Sequence, residues 1–539
     1  LILEKLAVIH KLNSDKSKIM ITDTDHRYIF TKIVTTLHQN KDSSLLYLEQ
    51  LNQNEASHLD NLQIIEKILN VPIKGKYLSS VAVRIGRPEK AAERKMKPPV
   101  HILFPVGTKG GPTRDIIKTA QQSSTYIEIA NRVCTDCHHP SIGISCRLCN
   151  ALTHLQRLCI VCKREADDTN LDRRCTFCNN EYKTYSAINF PLRDAITNAC
   201  QNLKLKPIQP LKGVKSLMGK NRYAEPLEKG ILRQKNTIST FKDGTIRFDA
   251  TNEPLTHFKP KWITTSIEKL KLLGYSKDHH GIELTSSEQL IELMIQDVII
   301  PVQAAEYLLN ITKFVDDELT KFYGLPSFYS ALSINDLIGH LIVGLAPHTS
   351  VGIVGRIIGF TNSQVCLASP IWHSAKRRDC DGDADSLMLL MDIFLNFSYE
   401  YLPNKIGGLM DAPLLIQPVV LPHEVQRQAH NLDISENYPL EFYHDTWNKG
   451  KAVDSISHID LVKKRIGQHN QFFDYNFTHH TDSITSETSR SSYSTLTTME
   501  EKLDMQMTTA KLIQAVDPDD VASMVLTTHI LPDIMGNIR

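Results

Sequence analysis

Eight of the eleven cysteines stand in four C-x-x-C pairs: Cys134/Cys137, Cys146/Cys149, Cys159/Cys162 and Cys175/Cys178. Two intervening residues let both sulfurs of a pair reach one tetrahedral metal from a tight turn, and two such knuckles complete a four-thiolate zinc site. Eight residues separate the first two pairs and twelve separate the last two. That spacing predicts two consecutive zinc ribbons, Cys134-Cys137-Cys146-Cys149 and Cys159-Cys162-Cys175-Cys178, with interleaved pairing as the open alternative. Disulfides are disfavoured, because nothing marks the chain for secretion and cytosolic thiols stay reduced. Four thiolates leave no open coordination position, so both zinc ions are expected to be structural. Cys200, Cys366 and Cys380 fall outside this scheme.

A second feature concerns chemistry. The segment Asp379-Cys-Asp-Gly-Asp-Ala-Asp385 places carboxylates at every second position: Asp379, Asp381, Asp383 and Asp385. Alternate side chains of an extended segment point the same way, so several of these acids can converge. Clustered carboxylates repel, and a hard divalent cation relieves that repulsion. Lys376, Arg377 and Arg378 precede the loop, and a metal beside cations suits phosphoryl or nucleotidyl transfer. An EF-hand calcium loop requires Gly at its sixth position and Glu at its twelfth. Counted from Asp379, those positions hold Ala384 and Leu390, so that pattern fails. An acidic loop on a solvated surface is the plain alternative, but the apolar run from Leu387 to Phe397 follows at once and places the loop at the end of a buried element.

The 539 residues suffice for several domains. The net charge of +1 excludes a generally basic nucleic-acid coat, so any nucleic-acid surface is local. Arg84, Arg87, Lys90, Arg94, Lys95 and Lys97 form one basic cluster, and a second runs from Lys204 to Lys235. Arg356 lies in an apolar, strand-like run and needs an anionic partner if buried; a phosphate is one candidate. His373 could face the acidic loop. No stretch is long and apolar enough to cross a bilayer, and no signal peptide is visible. The chain starts at Leu1 rather than Met and is read as a fragment.

Pattern and punctuation divide the rest. Leu45–Leu69, 112–132, Leu284–Val298 and Ala304–Tyr323 read as helices. Val81–Ile85 and Val100–Val106 read as strands, and Phe241–Phe248 as a hairpin turning at Asp243-Gly244. Gly-rich, β-branched runs at Val351–Thr361 and Gln364–Leu367 favour a compact barrel or sandwich over residues 331–430. The last hundred residues are expected to be mainly helical, with a Ser/Thr-rich loop from Thr478 to Thr498.

Three longer segments carry a resemblance. They are Arg84-Ile-Gly-Arg-Pro-Glu-Lys-Ala-Ala-Glu-Arg-Lys-Met-Lys-Pro-Pro-Val-His101, Gly344-Leu-Ala-Pro-His-Thr-Ser-Val-Gly-Ile-Val-Gly-Arg-Ile-Ile-Gly-Phe-Thr361, and the run from His373 through the acidic loop to Lys405-Ile-Gly-Gly-Leu-Met-Asp-Ala-Pro413. Lys242–Ala250 and Leu531–Asn537 also fit. In that order they resemble the catalytic half of the large subunit of archaeal family-D DNA polymerase. The resemblance implies an α+β multidomain fold with two double-psi β-barrels as catalytic core, zinc-ribbon modules and helical accessory regions. The expected domains are a first barrel region with the basic segment (1–125), the zinc modules (126–200), a mixed accessory region (201–330), the second barrel with the acidic loop (331–430) and a helical region (431–539).

The resemblance makes Asp381 and Asp383 the Mg²⁺-binding catalytic carboxylates, with Asp385 on a third acidic family position and Asp379 as a possible helper. It sets Lys90, Arg94, Lys95 and Lys97 on the basic segment facing the site, and Lys376, Arg377 and Arg378 would offset phosphate charge. The implied reaction is template-directed addition of dNMP to a primer 3′-hydroxyl with two Mg²⁺ ions, or Mn²⁺. The implied partners are primer–template DNA, dNTP, a small subunit with 3′–5′ exonuclease activity, and a sliding clamp reached through a C-terminal tail. The implied location is the cytoplasm, at the nucleoid. Two departures stand out: Asp379 where the family has Asn, and Ala384 where it has Glu. They keep a catalytically impaired DNA-binding scaffold open as an alternative. An RNA-polymerase-like nucleotidyltransferase is the other.

Overall fold

The computed structural model describes residues 11–12, 19–20, 96–121, 126–146, 149–166, 174–217, 222–378, 383–402, 412–413, 415–447, 457–478, 483–484, 496–513 and 517–537. The chain divides into two compact units, Leu1–Arg84 with Ser492–Arg539, and Ile85–Ser491. In the first, Lys11–Leu12 pairs antiparallel with Ile19–Met20. Its C-terminal part is helical over Met499–Leu512 and from Pro518 to Asn537. Thr498 and Glu501 form a reciprocal capping box at the start of the first of these helices. The helix expected at Leu45–Leu69, the strand at Val81–Ile85 and most of the Ser/Thr-rich stretch lie outside the described residues.

The second unit holds the cysteine pairs and a closed ring of strands. Helices α1 (Leu192–Leu203) and α2 (Leu227–Lys235) lie between them in the chain. The ring uses β1 (Phe248–Pro254), β2 (Asp297–Pro301), β3 (Leu341–Leu345), β4 (Val351–Thr361), β5 (Val365–Ala368) and β6 (Ala384–Leu389). Around it, β2 pairs antiparallel with β5, β5 parallel with β1, β1 antiparallel with β6, β6 antiparallel with β3, β3 antiparallel with β4, and β4 parallel with β2. Every strand of the six has two neighbours, so the ring has no free edge. A short seventh strand, β7 (Leu415–Gln417), adds parallel to β4.

Helix α3 (Val302–Asp317) packs against the ring. Ala304, Leu308, Ile311 and Val315 are fully buried at helical spacing, as expected for Ala304–Tyr323. The helix continues as a π-turn to Tyr323 and ends at Gly324 in the left-handed region. Helix α4 (Pro370–Ala375) follows β5, and α5 (Leu390–Asn396) follows β6. A glycine is required at Gly344 of β3, where a Cβ would stand 2.6 Å from the Trp372 ring and 2.9 Å from Lys376 Cδ.

Buried polar groups tie α2 to the end of α3 and to α5. Arg233 and Glu225, both fully buried, pair at 2.7 Å, and Lys229 pairs with Glu318 at 2.8 Å. Arg233 also donates to the carbonyls of His101 and Gly244. Lys229 donates to Asn396 of α5, which donates in turn to Asp392 and Glu318.

Several sequence expectations are corrected. Leu284–Val298 is not a helix: Ile291–Glu292 pairs with His257–Phe258, and Asp297 begins β2. The β-branched run Val298-Ile-Ile is buried on both faces, which a ring strand satisfies. Among the described residues of 112–132, only Ile116–Ala120 is helical, capped by Asp115. Tyr126–Ala130 alternates exposed and buried as a strand paired with Tyr185–Asn189. Val100–Val106 is joined by isolated bridges to Thr240 and Val214 and is no regular strand. The Asp243-Gly244 turn forms, closed by Phe241 N–H to Thr245 and Gly244 N–H to Phe241. No hairpin follows it, because the strand beginning at Phe248 pairs with β6 and β5 instead. Two strands of the ring, β1 and β2, come from residues before 331.

Candidate active site and metal centres

The acidic segment enters the ring at β6. Ala250 lies opposite Asp385 and Thr251 opposite Ala384. Asn252 N–H extends the ladder by one step, donating to the Asp383 carbonyl at 2.9 Å. Asp383 therefore sits at the mouth of the strand, its side chain 24% exposed, while Asp385 is fully buried. Asp379 and Asp381 lie outside the described residues, as do Lys90, Arg94 and Lys95.

The three cations before the loop have three different placements. Helix α4 is capped by Ser369 and ends at Lys376, and Arg377 then adopts a left-handed conformation (φ 58°). That turn sends Lys376 inward, leaves Arg377 exposed, and brings Arg378 back over the acids. Lys376 is fully buried with its Nζ 2.5 Å from Asp385 Oδ2. Its Nζ lies 3.9 Å from the centre of the Trp372 ring. It also donates at 3.3 Å to Asn252 Oδ1 and at 3.3 Å to His373 Nδ1. His373 Nε2 lies 2.9 Å from the Glu253 carbonyl, so Nε2 carries the proton and Nδ1 accepts. Burial, with the Lys376 cation beside it, holds the His373 ring well below its ordinary pKa and therefore neutral. Lys376 thus lies against Asp385, and His373 is fully buried beside it.

Arg378 is the cation that reaches the mouth. Its Nη2 lies 3.4 Å from Asp383 Oδ2 and its Nε 3.8 Å from Asp385 Oδ1. Asp385 Oδ1 and Arg378 Nε are both buried without a hydrogen-bond partner among the described residues. An orphaned carboxylate oxygen beside a half-open carboxylate is a hard-oxygen donor set of the kind Mg²⁺ or Mn²⁺ takes, so the residues present fit such an ion. Lys97 is exposed beside Pro98. Arg356 finds its anionic partner in the protein: Nε and Nη2 bind Asp297 at 2.8 and 2.7 Å, and the Tyr275 hydroxyl donates to the same carboxylate at 2.5 Å.

Sequence reasoning missed Asn252. It is fully buried, and its Nδ2 donates to Asp385 Oδ2 at 2.7 Å. No motif marks it.

The cysteines gather as two tetrads, Cys134-Cys137-Cys146-Cys149 and Cys159-Cys162-Cys175-Cys178, with the sulfurs of each within 4.8 Å of one another. This is consecutive pairing, not interleaved. Sulfur separations of 3.3 to 3.6 Å in the first tetrad and 3.2 to 3.6 Å in the second approach the edge of a zinc–thiolate tetrahedron, about 3.8 Å for bonds of about 2.3 Å. Both tetrads could bind zinc. The residue after each knuckle, His138, Asn150, Lys163 and Asn179, has φ between 55° and 64°. This shared left-handed step turns each pair's sulfurs to one side. Burial works against ionising Cys134, but the N–H groups of Cys137 and Asp136 outweigh it and lower the thiol to about 6. N–H groups of Cys178 and Phe177 likewise lower Cys175 to about 6. In the same tetrads Cys137 and Cys162 go the other way: despite a main-chain N–H, burial and the neighbouring sulfurs raise each to about 12.

Comparison with known proteins gives this arrangement a class. The family described as DNA polymerase II large subunit DP2, catalytic domain, matches residues 204–502, and its companion, the central domain of the same subunit, matches residues 1–168. The ring and acidic strand fall in the first match and the first cysteine tetrad in the second, which sets the chain among the large subunits of DNA polymerases. Relatives named DNA polymerase II large subunit are 46% identical over all of this chain in Cenarchaeum symbiosum, 45% over 90% of it in Archaeoglobus fulgidus and 45% over 89% of it in Pyrococcus furiosus. The chain belongs to the DNA polymerase II large subunit family. It spans less than half the length of these relatives, 46%, 43% and 38% respectively.

Proposed function

We propose that this chain carries the nucleotidyl-transfer centre of a replicative DNA polymerase, adding dNMP to a primer 3′-hydroxyl under the direction of a template. The observation that carries the reading is the pairing of a half-open carboxylate, Asp383, with a buried one, Asp385, whose charge Lys376 already balances. Asp383 and the neighbouring Asp381 would then hold Mg²⁺, helped by Asp379 or by the Oδ1 of Asp385. When bound, a pair of such ions would acidify the primer hydroxyl and offset charge on the triphosphate.

The chain's own groups have distinct tasks in this reading. Asp385, clamped by Lys376 and Asn252, fixes the strand from which Asp383 projects. Arg378 holds Asp383 when the carboxylate is otherwise unpaired, and turns to phosphate oxygens when nucleotide arrives. Arg377 and Lys97, both exposed, are available to the DNA backbone, and such contacts make binding salt-sensitive. Lys90, Arg94 and Lys95 belong to the same basic segment and complete the phosphate-facing side. Base pairing, not side chains, selects the nucleotide. The six-stranded ring is one of two double-psi barrels, and the two zinc ions brace the module before it. The working enzyme is a heterodimer with a small 3′–5′ exonuclease subunit, served by a sliding clamp and acting at the nucleoid.

Replacing Asp381 or Asp383 with Ala in the full-length subunit, assembled with its small partner, is expected to abolish primer extension; undiminished extension overturns the proposal. Running the same assay with dNTP and with NTP separates DNA synthesis from RNA-polymerase-like chemistry. Failure of the unmutated complex to extend in either Mg²⁺ or Mn²⁺ favours the scaffold reading suggested by Asp379 and Ala384.

A further inference from the structure

We infer that Asn252 is the positioning residue of the carboxylate centre, setting the direction of the metal-holding acids without touching the reacting atoms. The inference rests on the proposed function above and deepens it.

Beside its ladder pairing with Cys366 of β5, Asn252 makes three hydrogen bonds to the acidic strand or its counter-ion. Its main-chain N–H donates to the carbonyl of Asp383 at 2.9 Å. Its Nδ2 donates to Asp385 Oδ2 at 2.7 Å. Its Oδ1 accepts from Lys376 Nζ at 3.3 Å. One residue thereby grips Asp383 by the backbone and Asp385 by the side chain, and orients the ammonium that neutralises Asp385.

The contacts require an amide. The oxygen suits the ammonium and the nitrogen suits the carboxylate, and no other side chain of this size offers one acceptor and one donor in that order. With Oδ2 taken by Asn252 and Lys376, Asp385 can present only Oδ1, the oxygen left without a partner beside Arg378. The amide therefore decides which carboxylate oxygen faces the mouth. Groups that orient metal ligands from behind typically change metal affinity by 10- to 100-fold when removed, and an effect of about that size is expected here.

The test uses Mn²⁺ binding followed by electron paramagnetic resonance, on the full-length zinc-loaded subunit without DNA. Asn252→Ala removes both side-chain contacts. Asn252→Asp keeps the shape and the acceptor for Lys376 but turns an oxygen toward Asp385 Oδ2. Both leave the main-chain bond to Asp383 in place. Each is expected to weaken Mn²⁺ binding by about 10-fold or more, with the folded fraction measured by circular dichroism unchanged. Wild-type affinity in both variants overturns the inference. So does a loss of binding that merely follows a loss of folded protein, because Asn252 would then be a packing residue. Asp383→Ala is run alongside. If it binds Mn²⁺ as the parent does, the proposed metal centre itself has failed, an outcome distinct from failure at Asn252.

Discussion

Lys376→Met isolates the energetics beneath the acidic strand. The Lys376–Asp385 pair is fully buried on both sides with a 2.5 Å separation. At an effective dielectric constant of about 20, its Coulomb attraction is roughly 6–7 kcal/mol, much of it offset by desolvation of the two ions. Methionine preserves the aliphatic stem against Trp372 but leaves Asp385 with only the Asn252 amide and the distant Arg378 guanidinium. Breaking one side of a buried pair costs about 3–5 kcal/mol. With a denaturant slope of about 4 kcal/mol/M in guanidinium chloride, the midpoint should fall by about 1 M. Tryptophan fluorescence is the assay, because Trp372 lies against the Lys376 ammonium and donates its ring N–H to Val354. The double variant Lys376→Met/Asp385→Asn removes both charges and should lose only about 1.5 kcal/mol, a recovery of about 1.5–3.5 kcal/mol relative to the single variant. A single variant as stable as the parent, or a double variant no better than the single, would refute a charged, mutually neutralising pair.

Arg356→Met should cost about 1–3 kcal/mol of stability by orphaning Asp297, yet leave the salt dependence of DNA binding unchanged; a phosphate contact would instead lower the slope by about one, so the salt titration decides between the two roles. Asp392 is raised to about 7 by burial, against the pull of the Ile246 N–H and Arg233. The folded form thus keeps a proton that the unfolded chain releases near 4, and stability should fall as pH rises from about 4 through 7. Asp392→Asn should flatten that dependence in denaturation midpoints taken across the interval. Cys146→Ser should lower bound zinc from two ions per chain to one, and Cys175→Ser should do the same through the other tetrad, both read by metal analysis after gel filtration.

The legible parts of this protein are those whose physics is local. A knuckle is defined by two cysteines three positions apart and a turn between them, so both tetrads could be expected from spacing. The place of Asp383 at the end of a buried strand was legible, because an apolar run follows the acidic segment. Lys376 was not: its charge next to an acidic loop suggests a phosphate cation, and only the left-handed turn at Arg377 and the curl of β6 bring Asp385 to its ammonium. Arg356 demanded an anion, and the sequence could not say that Asp297, 59 residues earlier, supplies it. Asn252 stands 133 residues from Asp385, and a lone buried amide leaves no trace in composition or periodicity. The helix expected at Leu284–Val298 failed because a short apolar run suits a buried strand as well as a helix, and the neighbouring strands of the ring decided between them.

Of the six strands that close the ring, the one bearing Asp385 is the last to be synthesised, and it inserts between two that precede it. Until Leu389 has left the ribosome, Phe248–Pro254 and Leu341–Leu345 border an open gap, each offering a bare row of amides to any passing strand. The carboxylates thus come into register at the moment of closure and no earlier. A nascent chain stalled before that point would expose a sticky seam, with Asp383 and Asp385 not yet held by Asn252.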